Sequence, residues 1–155
     1  MKALLIYPEI PDTFWSFKHA LKFISRRSSS PPLGLLTVAA MLPPEWELRL
    51  VDMTVNRLRT ADLEWAEIVM ISAMVVQRDS VLEIVKRCQA SHLKIVAGGP
   101  LFTAYHQEFE GIDHFVLDDG EATLPEFLAD LEQGCAKQVY SNKNMPPMSL
   151  SPVPK

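Results

Sequence analysis

Short apolar runs alternate along the chain with segments whose apolar residues recur at helical spacing. Five of these runs are too short for helices and rich in branched side chains, a pattern that predicts β-strands. The first and third are apolar almost throughout, as in parallel strands covered on both faces. The second alternates, with Trp46, Leu48 and Leu50 on one face, which favours the edge of the sheet. The five runs cover residues 2–7, 45–53, 67–74, 94–97 and 114–117.

The segments between the strands predict helices. Residues 77–91 carry Val81, Ile84, Val85 and Cys88 at helical spacing. Val139-Tyr140 is expected to add a short edge strand, whereas the polar, proline-rich residues 141–155 predict a linker or tail. Further helical patterns cover residues 33–42, 103–109 and 122–132, with a single turn from residue 60 and a partly helical stretch at residues 14–24.

Strands that alternate with helices predict a parallel sheet with helices on both faces, and right-handed crossovers leave few topologies. We predict a flavodoxin-like (Rossmann-like), doubly wound α/β fold whose five-stranded parallel sheet has the order 2-1-3-4-5. Open α/β sheets bind ligands beyond the carboxyl ends of their strands, at the point where the strand order reverses. The loops expected there are residues 8–12, 72–77, 98–102 and 117–121.

The fourth predicted strand ends in Gly98-Gly99-Pro100. Two glycines free the backbone to adopt positive φ and let another group approach where a Cβ would clash. Pro100 ends the strand because it has no N–H to donate to a neighbouring strand. The turn is therefore either a wall of bare backbone for a ligand or a plain connection from a strand to a helix.

Composition and charge argue against several classes of protein. The chain has 155 residues, of which 48% are hydrophobic, enough for the core of one ordinary domain. Its net charge of −4, with no basic cluster beyond Arg26-Arg27, argues against a nucleic-acid partner. No apolar stretch approaches a membrane span, and Met1-Lys2 leads straight into a strand without a leader. Cys88 and Cys135 lack metal-ligand spacing, so we expect reduced thiols in a cytoplasmic protein.

The predicted crevice lacks the motifs of common catalytic and phosphate-binding sites. Ser72 has no Gly-x-Ser-x-Gly elbow, and the histidines are scattered over different elements. Pro8-Glu9 follows the first strand, so the Gly-x-Gly-x-x-Gly loop of dinucleotide-binding folds is absent. The aspartate and lysine that phosphoacceptor domains need after the third and fifth strands are also missing. We predict no catalytic and no metal-binding residue, and favour a large, flat, mostly apolar ligand.

Five motifs occur in an order that resembles a known family. Over residues 1–140, the chain resembles the N-terminal cobalamin (vitamin B12)-binding domain of cobalamin-dependent radical SAM proteins. That group includes anaerobic magnesium-protoporphyrin ester cyclases and several methyltransferases. Each motif is weak alone, whereas the five in this order are fairly specific. The motifs are Pro32-Leu33-Gly34-Leu35-Leu36, Val51-Asp52-Met53, Ile71-Ser72-Ala73-Met74, Val96-Ala97-Gly98-Gly99-Pro100 and the segment from Val116 to Leu124.

The resemblance implies four groups of residues that would contact cobalamin. The corrin ring and its nucleotide tail would be bordered by Ser72, Ala73, Met74, Val75 and Gln77. The tail would pass close to the backbone at Gly98, Gly99 and Pro100, with Leu101 and Phe102 beside it. The far side of the pocket would be closed by Gly120 and Glu121, and the lower face of the corrin would lie near Pro8, Glu9, Leu33 and Gly34.

The chain departs from the family pattern in three places. The Asp-x-His-x-x-Gly motif that supplies the lower cobalt ligand in mutases and methionine synthases is absent, since Ala20-Leu21-Lys22 follows His19. Asp118-Asp119-Gly120-Glu121 stands where the family usually has Gly-Glu-Gly-Glu, and we expect an altered turn there. No Cys-x-x-x-Cys-x-x-Cys motif is present, so we expect no iron–sulfur cluster in this chain.

The resemblance implies a module that binds cobalamin and holds it for a radical SAM domain, either in the same longer chain or in a separate partner. Residues 141–155 resemble the linker to that domain. The parent protein would be an enzyme of the methyltransferase or oxidative cyclase type, and this chain alone is expected to catalyse nothing. The alternative is a degenerate domain that keeps the fold for docking or substrate recognition and binds no cofactor.

Overall fold

A computed structural model describes residues 1–11, 32–143 and 152–154. Within these ranges the chain forms a parallel sheet of six strands in the order β2-β1-β3-β4-β5-β6. Every neighbouring pair of strands is parallel. The strands are β1 (Lys2–Tyr7), β2 (Glu47–Asp52), β3 (Ile68–Ser72), β4 (Lys94–Gly98), β5 (His114–Val116) and β6 (Val139–Tyr140).

The predicted α/β fold and the order of the first five strands are confirmed. The predicted count of five strands is one too few, because Val139 pairs with Phe115 and Tyr140 pairs with Val116. A strand of two residues has no periodicity from which it could be recognised as part of the main sheet. The short edge strand expected at these two positions is nevertheless present, and it extends the sheet beyond β5.

Helices cover both faces of the sheet. The helix predicted over residues 103–109 begins earlier, at Pro100, because a proline at the first helical position already has a helical φ. The partly helical stretch at residues 14–24 lies outside the described residues. The described α-helices are α1 (Leu33–Met41), α2 (Thr60–Trp65), α3 (Arg78–Ala90), α4 (Pro100–Tyr105) and α5 (Gly120–Glu132), with 3-10 turns at Val75–Gln77 and His106–Glu108.

The sheet separates two hydrophobic cores. Alternate residues of each strand point to opposite faces, so Leu4 and Ile6 enter one core while Ala3 and Leu5 enter the other. We call the first the α2–α4 core, because those three helices pack on it, and the second the α1/α5 core. Each strand of the centre is therefore buried on both sides, which explains the continuous apolar runs in the sequence.

Strand β2 lies at one edge of the sheet, as its alternating pattern predicts. Trp46 and Leu48 pack against the α1/α5 core, and Val51 is buried on the opposite side. Leu50, expected to share the buried face with Trp46 and Leu48, instead leaves 43% of its surface exposed. An edge strand has a neighbour on one side only, so its far end is covered less completely than a central strand.

The side chain of Gln77 links the ends of β1 and β3. It is buried, its Oε1 accepts a hydrogen bond of 2.8 Å from the backbone N–H of Met74, and its Nε2 donates to the carbonyl of Pro8. Buried backbone groups need partners, and here one amide satisfies two of them. Gln77 therefore holds the two loops at the carboxyl edge of the sheet together.

Gly98 lies where β4 and β5 approach each other closely. A Cβ at this position would stand 2.7 Å from the carbonyl oxygen of Val116, which is backbone and cannot move aside alone. Gly99 has φ of 90°, and a Cβ there would stand 2.9 Å from the Oγ of Ser72. Contacts within the protein thus already require both glycines, whether or not a ligand lies beside them.

The two cysteines are free thiols in different surroundings. Cys88 is buried in α3 and Cys135 is exposed. Burial raises the pKa of the Cys88 thiol to about 11, so it remains protonated and unreactive near neutral pH. Among the helices that the structure describes, none combines the length and the apolar character needed to cross a membrane.

Replacing Gly98 by alanine is expected to lower the free energy of unfolding by about 1–3 kcal/mol, because the added methyl group must push β4 and β5 apart. Urea unfolding of the purified chain measures this loss. The matched control is Gly34→Ala, since a Cβ at Gly34 would meet nothing within 4 Å. Equal stability of the two variants would contradict the close approach at Gly98.

Replacing Gln77 by leucine keeps a similar shape but leaves the Pro8 carbonyl and the Met74 N–H without their partner. We expect a loss of about 1–3 kcal/mol in the free energy of unfolding, the usual cost of unsatisfied buried polar groups. Gln89→Leu is the control, because Gln89 is exposed and its Nε2 makes only a long contact of 3.4 Å with the Gly111 carbonyl. A similar small loss in both variants would refute the role of Gln77.

Candidate functional site

A cavity opens at the carboxyl edge of the sheet, on the face covered by α1 and α5. Its volume is about 250 Å3, and we call it the α1/α5 cavity. The ends of β3, β4 and β5 form its floor, and the two helices form its walls. It lies at the edge where open α/β sheets bind their ligands.

The deep part of the cavity is apolar, whereas its rim carries hydroxyls, bare backbone and carboxylates. The rim combines Thr37, Ser72 and glycines from three separate segments of the chain with the acidic turn before α5. An apolar interior with a few polar groups at its mouth is typical of sites for cofactors and other small ligands. The apolar lining consists of Leu35, Val38, Met41, Met70, Val96, Val116 and Leu124.

Seven of the sixteen predicted cofactor-binding residues line this cavity, and they come from four separate elements. One belongs to α1, one ends β3, three form the turn after β4 and two begin α5. The structure therefore brings together segments that are far apart in the sequence. The seven are Gly34, Ser72, Gly98, Gly99, Pro100, Gly120 and Glu121.

The other predicted residues lie outside the cavity, in three different places. Leu101 and Phe102 are fully buried in the α2–α4 core, on the opposite face of the sheet. Ala73 and Gln77 are buried near the loop at the end of β3, where Gln77 makes the contacts described above. The remaining five belong to loops and a helix end at the same edge of the sheet but do not line the cavity, namely Pro8, Glu9, Leu33, Met74 and Val75.

Several lining residues were not predicted, although the sequence contains a signal for them. The helix α1 carries Thr37, Val38 and Met41 at intervals of three and four from one another or from the predicted Gly34. All four residues therefore share one face of α1. The strand residues Met70, Val96 and Val116 each lie two positions before a predicted or rim residue, and in a strand such residues point to the same face. Extending each predicted position along its own element would have found them.

The acidic turn before α5 keeps a glycine-like conformation without a glycine at its first position. Asp118 has φ of 61°, in the left-handed region that glycine adopts most readily and that aspartate tolerates better than most residues. The hydroxyl of Thr123 donates to the carbonyls of Leu117, at 3.0 Å, and Asp119, at 3.1 Å. These bonds fix the turn, so Asp118, Asp119 and Gly120 all lie at the rim of the cavity.

The described residues contain no group of three or more histidine, cysteine or acidic side chains placed to hold a metal ion. Of the histidines in the described ranges, none lines the α1/α5 cavity, and the Nδ1–H of His114 donates a hydrogen bond of 2.7 Å to the Lys137 carbonyl. Burial and the negative charge of Asp52 raise the pKa of Tyr7 at the end of β1, so its phenol stays protonated. His19 lies outside the described residues.

Comparison with known proteins assigns the family. A family model described as the B12 binding domain matches residues 23–128. The chain is 43% identical over its whole length to an uncharacterized methyltransferase of Synechocystis sp., and 28% identical over 99% of its length to the hopanoid C-2 methylase of Rhodopseudomonas palustris. It spans only 29% and 30% of the lengths of these two relatives. The family match covers most of the chain, and the chain therefore belongs to the B12-binding domain family.

Proposed function

We propose that the chain binds cobalamin and that the α1/α5 cavity holds the nucleotide tail of the cofactor. The observation that supports this most directly is the cavity itself, because apolar side chains form much of its lining and it lies at the carboxyl edge of the sheet. A volume of about 250 Å3 is too small for a whole corrinoid and large enough for one flat, mostly apolar part of it. Membership of the B12-binding domain family supports the same ligand.

The residues around the mouth suit the rest of a corrinoid. Met74, Val75 and Val76, which follow β3 at the carboxyl edge of the sheet, expose 38%, 49% and 59% of their surfaces, and Leu33 at the start of α1 exposes 55%. Exposed apolar side chains grouped at one edge are typical of a binding surface. We propose that these residues contact the macrocycle, whose surface is large and largely apolar, while Ser72 and Thr37 offer hydroxyls to the tail.

None of the described histidines lines the cavity, so the residues that would hold cobalamin there would do so through apolar side chains, hydroxyls and backbone groups. Bound cobalamin supplies a carrier for methyl groups or a redox-active cobalt. The chain's own residues contribute binding, orientation and the exclusion of water from the apolar cavity.

We further propose that the chain is one part of a longer enzyme. It spans less than a third of each relative, and both relatives carry methyltransferase or methylase names. The remainder would be a radical SAM domain, as the order of the motifs implies, and residues 141–155 would lead into it. A cofactor-free docking domain is less well supported, because an unfilled apolar cavity costs stability that such a domain could regain by filling it.

Replacing Thr37 by tryptophan is expected to weaken cobalamin binding at least about tenfold, which corresponds to about 1.4 kcal/mol, because the indole would occupy the cavity wall. Titration with hydroxocobalamin, followed by desalting and visible spectroscopy, measures both affinity and retention. Retention should be accompanied by a spectral change if the dimethylbenzimidazole is displaced from cobalt.

The matched control for this substitution is Leu82→Trp. Leu82 lies on α3, on the opposite face of the sheet, and exposes 39% of its surface, so the same side chain is introduced away from the cavity. We expect Leu82→Trp to bind like the wild type. Failure of the wild-type chain to retain cobalamin would contradict the proposed function, and equal binding by the two variants would contradict the proposed site.

The proposed partner domain makes a prediction about the parent protein. A radical SAM domain requires three cysteines that bind an iron–sulfur cluster, and the described chain has none in that spacing. We expect a Cys-x-x-x-Cys-x-x-Cys motif in the reading frame that follows Lys155, and about four iron atoms per chain in the anaerobically purified longer protein. Sequencing the locus and measuring iron check this, and a following domain without such cysteines would contradict the partner.

A further inference from the structure

The residues that leave the sheet after β6 are bonded to the rim of the α1/α5 cavity. The Oδ2 atom of Asp118 accepts a hydrogen bond of 2.7 Å from the Ser141 hydroxyl and another of 3.0 Å from the backbone N–H of Asn142. Asp118 also lines the cavity. A single carboxylate thus contacts both the candidate cofactor site and the first residues of the segment that follows the fold.

Asp118 is held from two further directions. Its N–H donates to the Oγ1 of Thr103 on α4, at 2.9 Å, and the N–H of the preceding Leu117 donates to the carbonyl of Tyr140, at 2.9 Å. Its φ of 61° is a conformation that few side-chain-bearing residues adopt without surrounding support. Asp118 therefore occupies a junction between α4, the cavity rim and the end of β6.

Strand β6 has its own attachment, separate from Asp118. The hydroxyl of Tyr140 donates to the Oδ2 of Asp130 on α5, at 2.8 Å, and accepts from the N–H of Lys137, at 2.7 Å. Its ring packs edge-on against Phe127 with a centroid separation of 5.5 Å. Loss of the Asp118 carboxylate should consequently release only the residues after Tyr140 and leave the sheet unchanged.

We propose that Asp118 is a positioning residue that couples occupancy of the α1/α5 cavity to the order of Ser141 and Asn142. The inference rests on the proposed function, because it takes cobalamin as the occupant of the cavity. A ligand that fixes the rim stabilises the hydrogen bonds from Ser141 and Asn142 to Asp118. By thermodynamic reciprocity, these hydrogen bonds strengthen ligand binding by the same factor. Ser141 and Asn142 would thereby be more ordered when the cofactor is bound.

Amide hydrogen exchange in a peptide covering residues 141–143 tests the coupling in the wild type, Asp118→Gly and Asp118→Asn, each with and without hydroxocobalamin. Glycine retains the backbone conformation and removes the carboxylate, while asparagine retains an oxygen that can accept both hydrogen bonds. Glu132→Gln is the charge control, since Glu132 is exposed at the far end of α5 and its replacement removes a negative charge away from both the cavity and the hydrogen bonds of Asp118.

We expect cobalamin to slow exchange in this peptide about tenfold in the wild type and in Glu132→Gln, in the range typical of coupled sites. Asp118→Gly should lose that slowing and bind cobalamin less tightly by a similar factor, and Asp118→Asn should restore most of both. Exchange in a peptide covering Val139 and Tyr140 should be alike in all variants.

Two outcomes would overturn the inference, and they can be told apart. If the wild type retains cobalamin and Asp118→Gly shows the same slowing of exchange and the same affinity, the coupling through Asp118 is wrong while the proposed function stands. If the wild type retains no cobalamin, the proposed function fails and the coupling fails with it.

Discussion

The backbones of β3, β4 and β5 are in close contact at their carboxyl ends, and the architecture of the site depends on this contact. Gly98 leaves room for the Val116 carbonyl, and Gly99 leaves room for Ser72 and Ala73. The N–H of Ala73 donates to the Gly98 carbonyl, at 3.3 Å, and the N–H of Leu101 donates to the Ala73 carbonyl, at 3.0 Å. These contacts fix three strand ends as one rigid edge.

The position of the cavity follows from that edge. The turn at Gly99 directs α4 onto the same face as α2 and α3, where Leu101 and Phe102 complete a dense core. Among the described helices, α1 and α5 cover the opposite face, and the α1/α5 cavity lies between these helices and the strand ends. The glycines thus serve the packing of the protein first, and they contribute to the cavity because the tightly packed edge is also its floor.

Much of the fold could be predicted from the sequence because its strongest patterns are local. Continuous apolar runs identify β1 and β3 as buried strands, and the alternation around Leu48 identifies β2 as an edge strand. Residues 139–140 are too few to show a periodic pattern, so the short edge strand expected there was not included in the predicted five-stranded sheet. Helix α4 was predicted to begin at residue 103 and begins at Pro100, because the turn and the first residues of the helix overlap.

The candidate site was predicted less completely, for a physical reason. The sequence indicates which loops meet at the carboxyl edge, and Ser72, Gly98 and Gly120 do meet there. It does not indicate to which face of the sheet each side chain turns, so Phe102 was placed beside the ligand although it is buried on the other face. That choice depends on the path of the backbone after each strand, which only the packed structure determines.

Methyl NMR of the chain labelled at its methionine methyl groups tests most directly whether the nucleotide tail of cobalamin enters the α1/α5 cavity. Met41 and Met70 line the cavity, whereas Met53 packs against the α2–α4 core on the opposite face. Addition of hydroxocobalamin should shift the Met41 and Met70 signals and leave that of Met53 in place. Unchanged Met41 and Met70 signals in a chain that retains the cofactor would contradict the claim.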